Sequence, residues 1–152
     1  MLDRPLRIVL TAAHKALVAS WYVRQPRTYG AHAVALTPSR KLVLVKLRYA
    51  RGWRLPGGGR RRNEYAQAAV IRELREEIGM TAYGRVRFAF ELEERVDFKR
   101  DASALLIVED VCYRPHRWSL EIEQIAEFSF DRLPADMSRR TKRWLDALGG
   151  HF

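Results

Sequence analysis

The segment Gly58 to Met80 reads GGRRRNEYAQAAVIRELREEIGM, and two patterns run through it. Val70, Leu74 and Ile78 recur at every fourth position, with Ala66 one turn earlier, which is the apolar stripe of a helix that docks on a core. Glutamates stand at 64, 73, 76 and 77. Helix positions three and four apart are neighbours, so Glu73, Glu76 and Glu77 share one edge, where like charges repel and a divalent cation would relieve them. Arg72 lies four residues before Glu76, within reach of that carboxylate. Gly79 is placed to end the helix in a left-handed turn. Upstream, Leu55-Pro56-Gly57-Gly58-Gly59 carries too little side chain for ordinary helix or strand. It predicts a tight loop whose bare backbone lets a ligand or a metal come close.

Around this segment the chain alternates between elements. Leu6, Val9 or Leu10, Ala13, Leu17 and Trp21 recur as a helical stripe opposed by Arg4, Arg7, Thr11 and His14, so residues 1–25 are read as a packed leading amphipathic helix. A helix lying on an anionic membrane is the competing reading. Pro26 ends it. Gly30 to Leu36 and Lys41 to Leu47 read as strands joined by the turn formers Thr37-Pro38-Ser39-Arg40. Arg85 to Val96 and Ala104 to Tyr113 form a second pair separated by Asp97-Phe98-Lys99-Arg100-Asp101. A short strand near Gln124 to Phe130 follows, then a closing helix from Ser138, its cap, to Leu148. The class is α/β, a mixed sheet between helices.

Composition sets outer limits. The 152 residues suit one domain, 1–152, and 47% hydrophobic with 30% charged residues is that of a globular chain, with no repeat or low-complexity tract. The single cysteine, Cys112, sits in an apolar stretch and reads as a buried, inert thiol; it leaves no intrachain disulfide and suggests a reducing cytoplasm. Arg4 and Arg7 precede Ile8-Val9-Leu10, but His14 and Lys15 interrupt the apolar run, so the start reads as mature chain. No run approaches the roughly 18 apolar residues of a membrane span. The formal charge is +10, with 23 arginines against five lysines. Arginine grips phosphate with a planar fork, which favours an anionic substrate.

The spacing Gly58, five residues, Glu64, seven residues, Arg72-Glu73-Leu74, one residue, Glu76-Glu77, one residue, Gly79-Met80 resembles the Nudix box at every fixed position. The last slot more often holds an aliphatic residue, and Met80 is expected to pack equivalently. Gly52-Trp53-Arg54-Leu55-Pro56-Gly57-Gly58 is similar to the family's lead-in. The resemblance implies a Nudix-type α/β/α sandwich and a metal-dependent pyrophosphohydrolase that cleaves a diphosphate linkage in a nucleoside diphosphate derivative. It implies Mg2+ or Mn2+ on Glu73, Glu76 and Glu77, supported by Glu64 and the Gly57 carbonyl, with Arg72 counted beside the three glutamates as catalytic. Hard oxygen ligands suit these ions. The base that takes the water's proton is left open among Glu73, Glu76, Glu77 and a glutamate outside the box.

Alternatives stand beside this reading. An RNA 5′ end is a second substrate class that the net basicity permits, although no aromatic-basic RNA motif is present. A Nudix fold serving as a non-catalytic nucleotide-binding module is another, and a homodimer is left open. Within the box Arg60, Arg61 and Arg62 replace the acid and glycine more usual there, and they read either as phosphate contacts, together with Gly58 and Gly59, or as an exposed basic loop. Trp53 and Tyr49 read either as nucleobase stackers or as core anchors. Glu121 and Glu123 precede a strand and a Leu-Pro turn and read as extra site acids or solvent-facing ones, with Glu91, Glu93, Glu94 and Asp97 behind them. The histidines show no ligand spacing. Subgroup marks are missing: Val96 stands where ADP-ribose hydrolases carry proline, and the NADH and coenzyme A signatures are absent.

Overall fold

The computed structural model describes residues 3–24, 27–96 and 98–149. In chain order these form α1 (Asp3–Arg24), β1 (Arg27–Ala35), β2 (Leu42–Leu47), β3 (Trp53–Arg54), β4 (Gly57–Gly59), α2 (Ala66–Ile78), β5 (Met80–Ala82), β6 (Val86–Val96), β7 (Lys99–Val108), β8 (Cys112–Tyr113), β9 (Ile122–Phe128) and α3 (Arg139–Leu148). A mixed four-stranded sheet runs β4-β1-β7-β6, with β1 parallel to β7 and the other pairs antiparallel. An antiparallel sheet runs β3-β2-β9, and β5 pairs with β8.

Strand alternation divides the interior in two, because successive side chains leave opposite faces. Ala31, Ala33 and Ala35 of β1, with Ala104, Leu106 and Val108 of β7, meet Val70, Leu74 and Ile78 of α2. The alternate residues Val34, Leu36, Leu105 and Ile107 meet Trp144, Leu145 and Leu148 of α3. The sheet layer thus lies between α2 and α3, which is the expected α/β/α sandwich. Alanines on the α2 side let that helix sit close to β1. Leu74 and Ile78 are fully buried, each stabilising the fold by about 1.5–3 kcal/mol. The expected caps form: Gly79 ends α2 at φ 72°, and Ser138 accepts a hydrogen bond from the Thr141 N–H at 3.2 Å. Met80 packs into the α2 core as expected.

Four expectations need correction. The leading helix forms but is not packed along its predicted stripe: Val9 and Leu17 are 62% and 48% exposed, while Leu6, Leu10, Thr11, His14 and Val18 are the half-buried positions. That edge mixes apolar and polar residues, with the His14 ring against Tyr49, and the exposed Arg7 pairs with Glu123. The expectations for the Trp21 side chain and for Pro26 lie outside the described residues. Second, β7 starts at Lys99 and takes in charged residues assigned to a loop. Asp101 can be buried there because Thr28, Ser103 and Arg140 all donate to it. Third, the strand read as running to Tyr113 stops at Val108, and β9 spans Ile122–Phe128. Fourth, Cys112 is exposed rather than buried. The turn at Asp110, φ 55°, resets the alternation so that Val111 points in and Cys112 out.

Candidate functional site

The glycine loop is held from one side by β1 and from the other by α2. Ala31 and His32 pair with Gly58 and Gly57, and the Ala33 N–H donates to the Pro56 carbonyl at 2.9 Å. Gly57 adopts φ 144°, and a side chain there would come within 2.3 Å of the Ala31 oxygen, so only glycine fits. Its N–H donates to Glu77 Oε2 at 2.8 Å. The loop and the acidic helix are therefore one unit. Gly58 faces Glu73, whose Oε1 lies 2.8 Å from where a Cβ would stand.

Arg72 organises the acids. Its Nε and one terminal nitrogen donate to the two oxygens of Glu64, each at 2.9 Å, its other terminal nitrogen reaches Glu73 at 2.6 Å and Glu76 at 3.3 Å, and the Gly59 carbonyl accepts a further bond at 3.0 Å. The expected pairing with Glu76 is present but is the longest of the three. A bidentate fork on a carboxylate fixes both partners' orientation. Glu64 is held down to about 2 by Arg72 first and then by the Arg61 N–H, while the Arg72 guanidinium is strengthened as a cation by Glu64. Glu73 is raised, chiefly by burial.

Glu77 differs from the rest. It is only 9% exposed, and burial pushes its carboxyl up to about 8 against the pull of the Gly57 N–H, with Glu73, Glu121 and Glu76 raising it further. Glu121 is thus near enough to be felt at the site while remaining exposed, whereas Glu123 turns to Arg7 at 3.7 Å. Among the described residues no three His, Cys, Asp or Glu side chains converge as a ready metal cage, since Arg72 draws Glu64, Glu73 and Glu76 toward itself.

The remaining candidates scatter. Arg60 lies against Glu91 and over Tyr29, Arg61 is exposed and pairs with Glu76 at 3.6 Å, and Arg62 is exposed at the rim of a cavity with Tyr29 and Tyr65. Trp53 is 8% exposed, packed edge-on against Phe128 with the Lys46 ammonium over its ring, so it is the core anchor and not an open stacking platform. Tyr49 is half-buried beneath His14. Glu94 is bound by Arg140 and Arg143 away from the box, Glu93 is exposed, and Asp97 lies outside the described residues.

A group absent from the sequence reading adjoins Glu77 and Gly57. His32, Arg54, Arg140 and Trp144 line a small cavity of about 70 Å³ with them. His32 meets the Trp144 ring at 4.8 Å and is kept neutral, its pKa lowered to about 3 by burial and then by Arg140. Arg140 covers the other ring contact at 4.4 Å and ties to Asp101 and Glu94. These residues come from three elements far apart in sequence, and no local spacing marks them.

Comparisons with known proteins agree with this geometry. A family model described as NUDIX domain matches residues 26–148. Among solved structures, a MutT NUDIX hydrolase from Burkholderia pseudomallei is similar at 22% identity and TM-score 0.68, covering 79% of this chain and 96% of that one. A putative nudix hydrolase family member from Chromobacterium violaceum matches at 24% identity and TM-score 0.62, over 80% and 76%. A MutT protein from Methanosarcina mazei Go1 matches at 20% and TM-score 0.63, over 83% and 97%. At these identities the likeness is one of fold. No curated protein matches the chain. No helix among the described residues is long and apolar enough to cross a membrane.

Proposed function

This chain belongs to the Nudix hydrolase family, and from that premise we propose that it hydrolyses a diphosphate linkage in a nucleoside diphosphate derivative with the help of Mg2+ or Mn2+. The observation that carries the reading is the contact between the Gly57 N–H and Glu77, which places a nearly buried carboxylate directly beneath an approachable glycine backbone. A carboxylate so buried, with Glu73, Glu76 and Glu121 raising its pKa, is poorly stable as an anion. The donor set is all hard oxygen, so it fits a small divalent ion, with Glu73, Glu76 and Glu77 as side-chain ligands, Glu64 in support and the Gly57 carbonyl available. When bound, the ion supplies charge neutralisation at the phosphates and a more acidic water.

The chain's own groups have distinct tasks. Arg72 keeps Glu64 and Glu73 in fixed rotamers, and so holds the acidic edge in register with the loop. Gly58 lets the Glu73 carboxylate come close to the loop, and Gly59, where an added side chain would meet nothing within 4 Å, leaves room for phosphate oxygens beside the backbone. Arg61 and Arg62, exposed at the loop, and Arg60 behind them are the cations available to those phosphates. Glu73, Glu76, Glu77 or a glutamate outside the box takes the proton of the attacking water.

A panel of nucleoside diphosphate sugars, dinucleotides and nucleoside triphosphates, assayed with Mg2+ at mildly alkaline pH, tests this. At least one compound should be cleaved at its phosphoanhydride. Glu77→Gln should lower kcat by about 100-fold or more while far-UV circular dichroism stays that of the folded protein. Ligand binding without turnover of any compound at any metal concentration would instead make the chain a binding module.

A further inference from the structure

The cavity beside Glu77 does not end at the glycine loop. Leu47 and Ser138 line both it and a larger cavity of about 570 Å³, bounded by the loop Ala50-Arg51-Gly52, the start of α3 and Arg7 of α1. Four cations face this outer chamber. Lys46 is neutralised by Asp136 at 3.0 Å, and Arg7 meets Glu123 at 3.7 Å. Among the described residues Arg51 and Arg139 have no carboxylate partner.

The Trp53 N–H donates to the Asp136 carbonyl at 3.0 Å, and the Ser138 N–H to the Trp53 carbonyl at 2.9 Å, so the segments carrying Arg51 and Arg139 are stitched together. Arg139 also opens the ten-residue helix α3. A guanidinium with an unfilled fork binds phosphate oxygens in pairs, and the helix start adds positive potential. Arg7 belongs to a helix outside the span of the family match.

We propose that this vestibule binds a further phosphate of the substrate, one lying beyond the scissile diphosphate, through Arg51 and Arg139. The substrate class is then a nucleotide carrying an additional phosphodiester or phosphomonoester, rather than a diphosphate whose second half is uncharged. The proposal rests on the diphosphate-hydrolase reading for the inner site, and it can fail independently of that reading.

The test uses the full chain and two triphosphorylated dinucleotides of equal length, pppApA with its natural phosphodiester and the same molecule with an uncharged methylphosphonate link. Binding is measured with Mg2+ on methylene-bridged forms that cannot turn over, and turnover on the hydrolysable forms. The natural link should bind about tenfold more tightly. Arg51→Ala with Arg139→Ala should erase that difference and leave the methylphosphonate compound unaffected, and the paired lysine variant should restore part of it. Equal binding of the two by the wild type, a difference that survives the alanine pair, or no binding of either compound overturns the vestibule. A charge preference in binding with no cleavage of any compound would retire the hydrolase reading and leave the vestibule standing. Equal cleavage of both would do the reverse.

Discussion

A single guanidinium decides how the acids of this site are arrayed. Arg72 takes up Glu64 with two nitrogens and still reaches Glu73 and Glu76, which leaves Glu77 to be held by backbone alone. The two end members titrate in opposite senses. Glu64 sits at about 2 and stabilises the fold above its ordinary 4.5, a contribution lost as pH falls toward 2. Glu77 sits at about 8 against an ordinary 4.5, so the folded state holds its proton more tightly than the unfolded chain does. Its contribution is complete below 4.5 and is lost as pH rises toward 8. In chelator, denaturant melts taken at about pH 7 and about pH 8.5, above the range in which His32 titrates in the unfolded chain, should therefore show the wild type losing stability over that interval. Glu77→Gln should flatten the loss, and added Mg2+ should stabilise the wild type at the higher pH far more than the variant. A wild-type midpoint that climbs across the same interval would mean that Glu77 is not a strained anion.

Between elements, α1 and α2 obey the same periodicity and meet opposite fates. In α2 the stripe Val70, Leu74, Ile78 is buried against β1 and β7, so Leu74→Ala should cost about 2–5 kcal/mol in chemical denaturation. In α1 the stripe residue Leu17 is 48% exposed although Leu6 and Leu10 are half-buried, and Leu17→Gln should change stability by no more than about 0.5 kcal/mol. A cost for Leu17→Gln comparable to that of Leu74→Ala would show the helix packed as its stripe first suggests. The contrast marks what periodicity can tell. Local pattern locates α2 with its Gly79 cap, α3 with its Ser138 cap and the edge bearing Glu73, Glu76 and Glu77, because those depend on residues within a turn of one another. It cannot say which side of an amphipathic helix meets the domain when a polar edge finds partners such as Tyr49 and Glu123. The Asp101–Arg140 pair, 39 residues apart, was invisible for the same reason, and with it the start of β7. Cys112 was misplaced because one left-handed residue, Asp110, inverts the alternation that an unbroken strand would keep.

At the scale of the whole molecule the acids and the excess of arginine are segregated in role. Glu64, Glu73, Glu76 and Glu77 concentrate negative charge on one helix and its entry, within a chain whose formal charge is +10. An anionic diphosphate approaching such a body is drawn in by the summed field and meets a cluster of carboxylates at the α2 edge, where the divalent ion is proposed to sit. The long-range attraction is screened by salt, since the Debye length falls from about 10 Å at 0.1 M to about 3 Å at 1 M, while contacts within the buried site are screened much less. Raising salt from about 50 mM to about 500 mM should therefore lower kcat/KM several-fold and leave kcat within about twofold. Steady-state kinetics on whichever compound the substrate panel identifies will separate the two effects. If kcat falls in parallel with kcat/KM, salt is acting on the α2 carboxylates or their ion rather than on encounter. If neither changes, the basic surface plays no part in capturing substrate, and the surplus of arginine has to be explained by something other than the diphosphate.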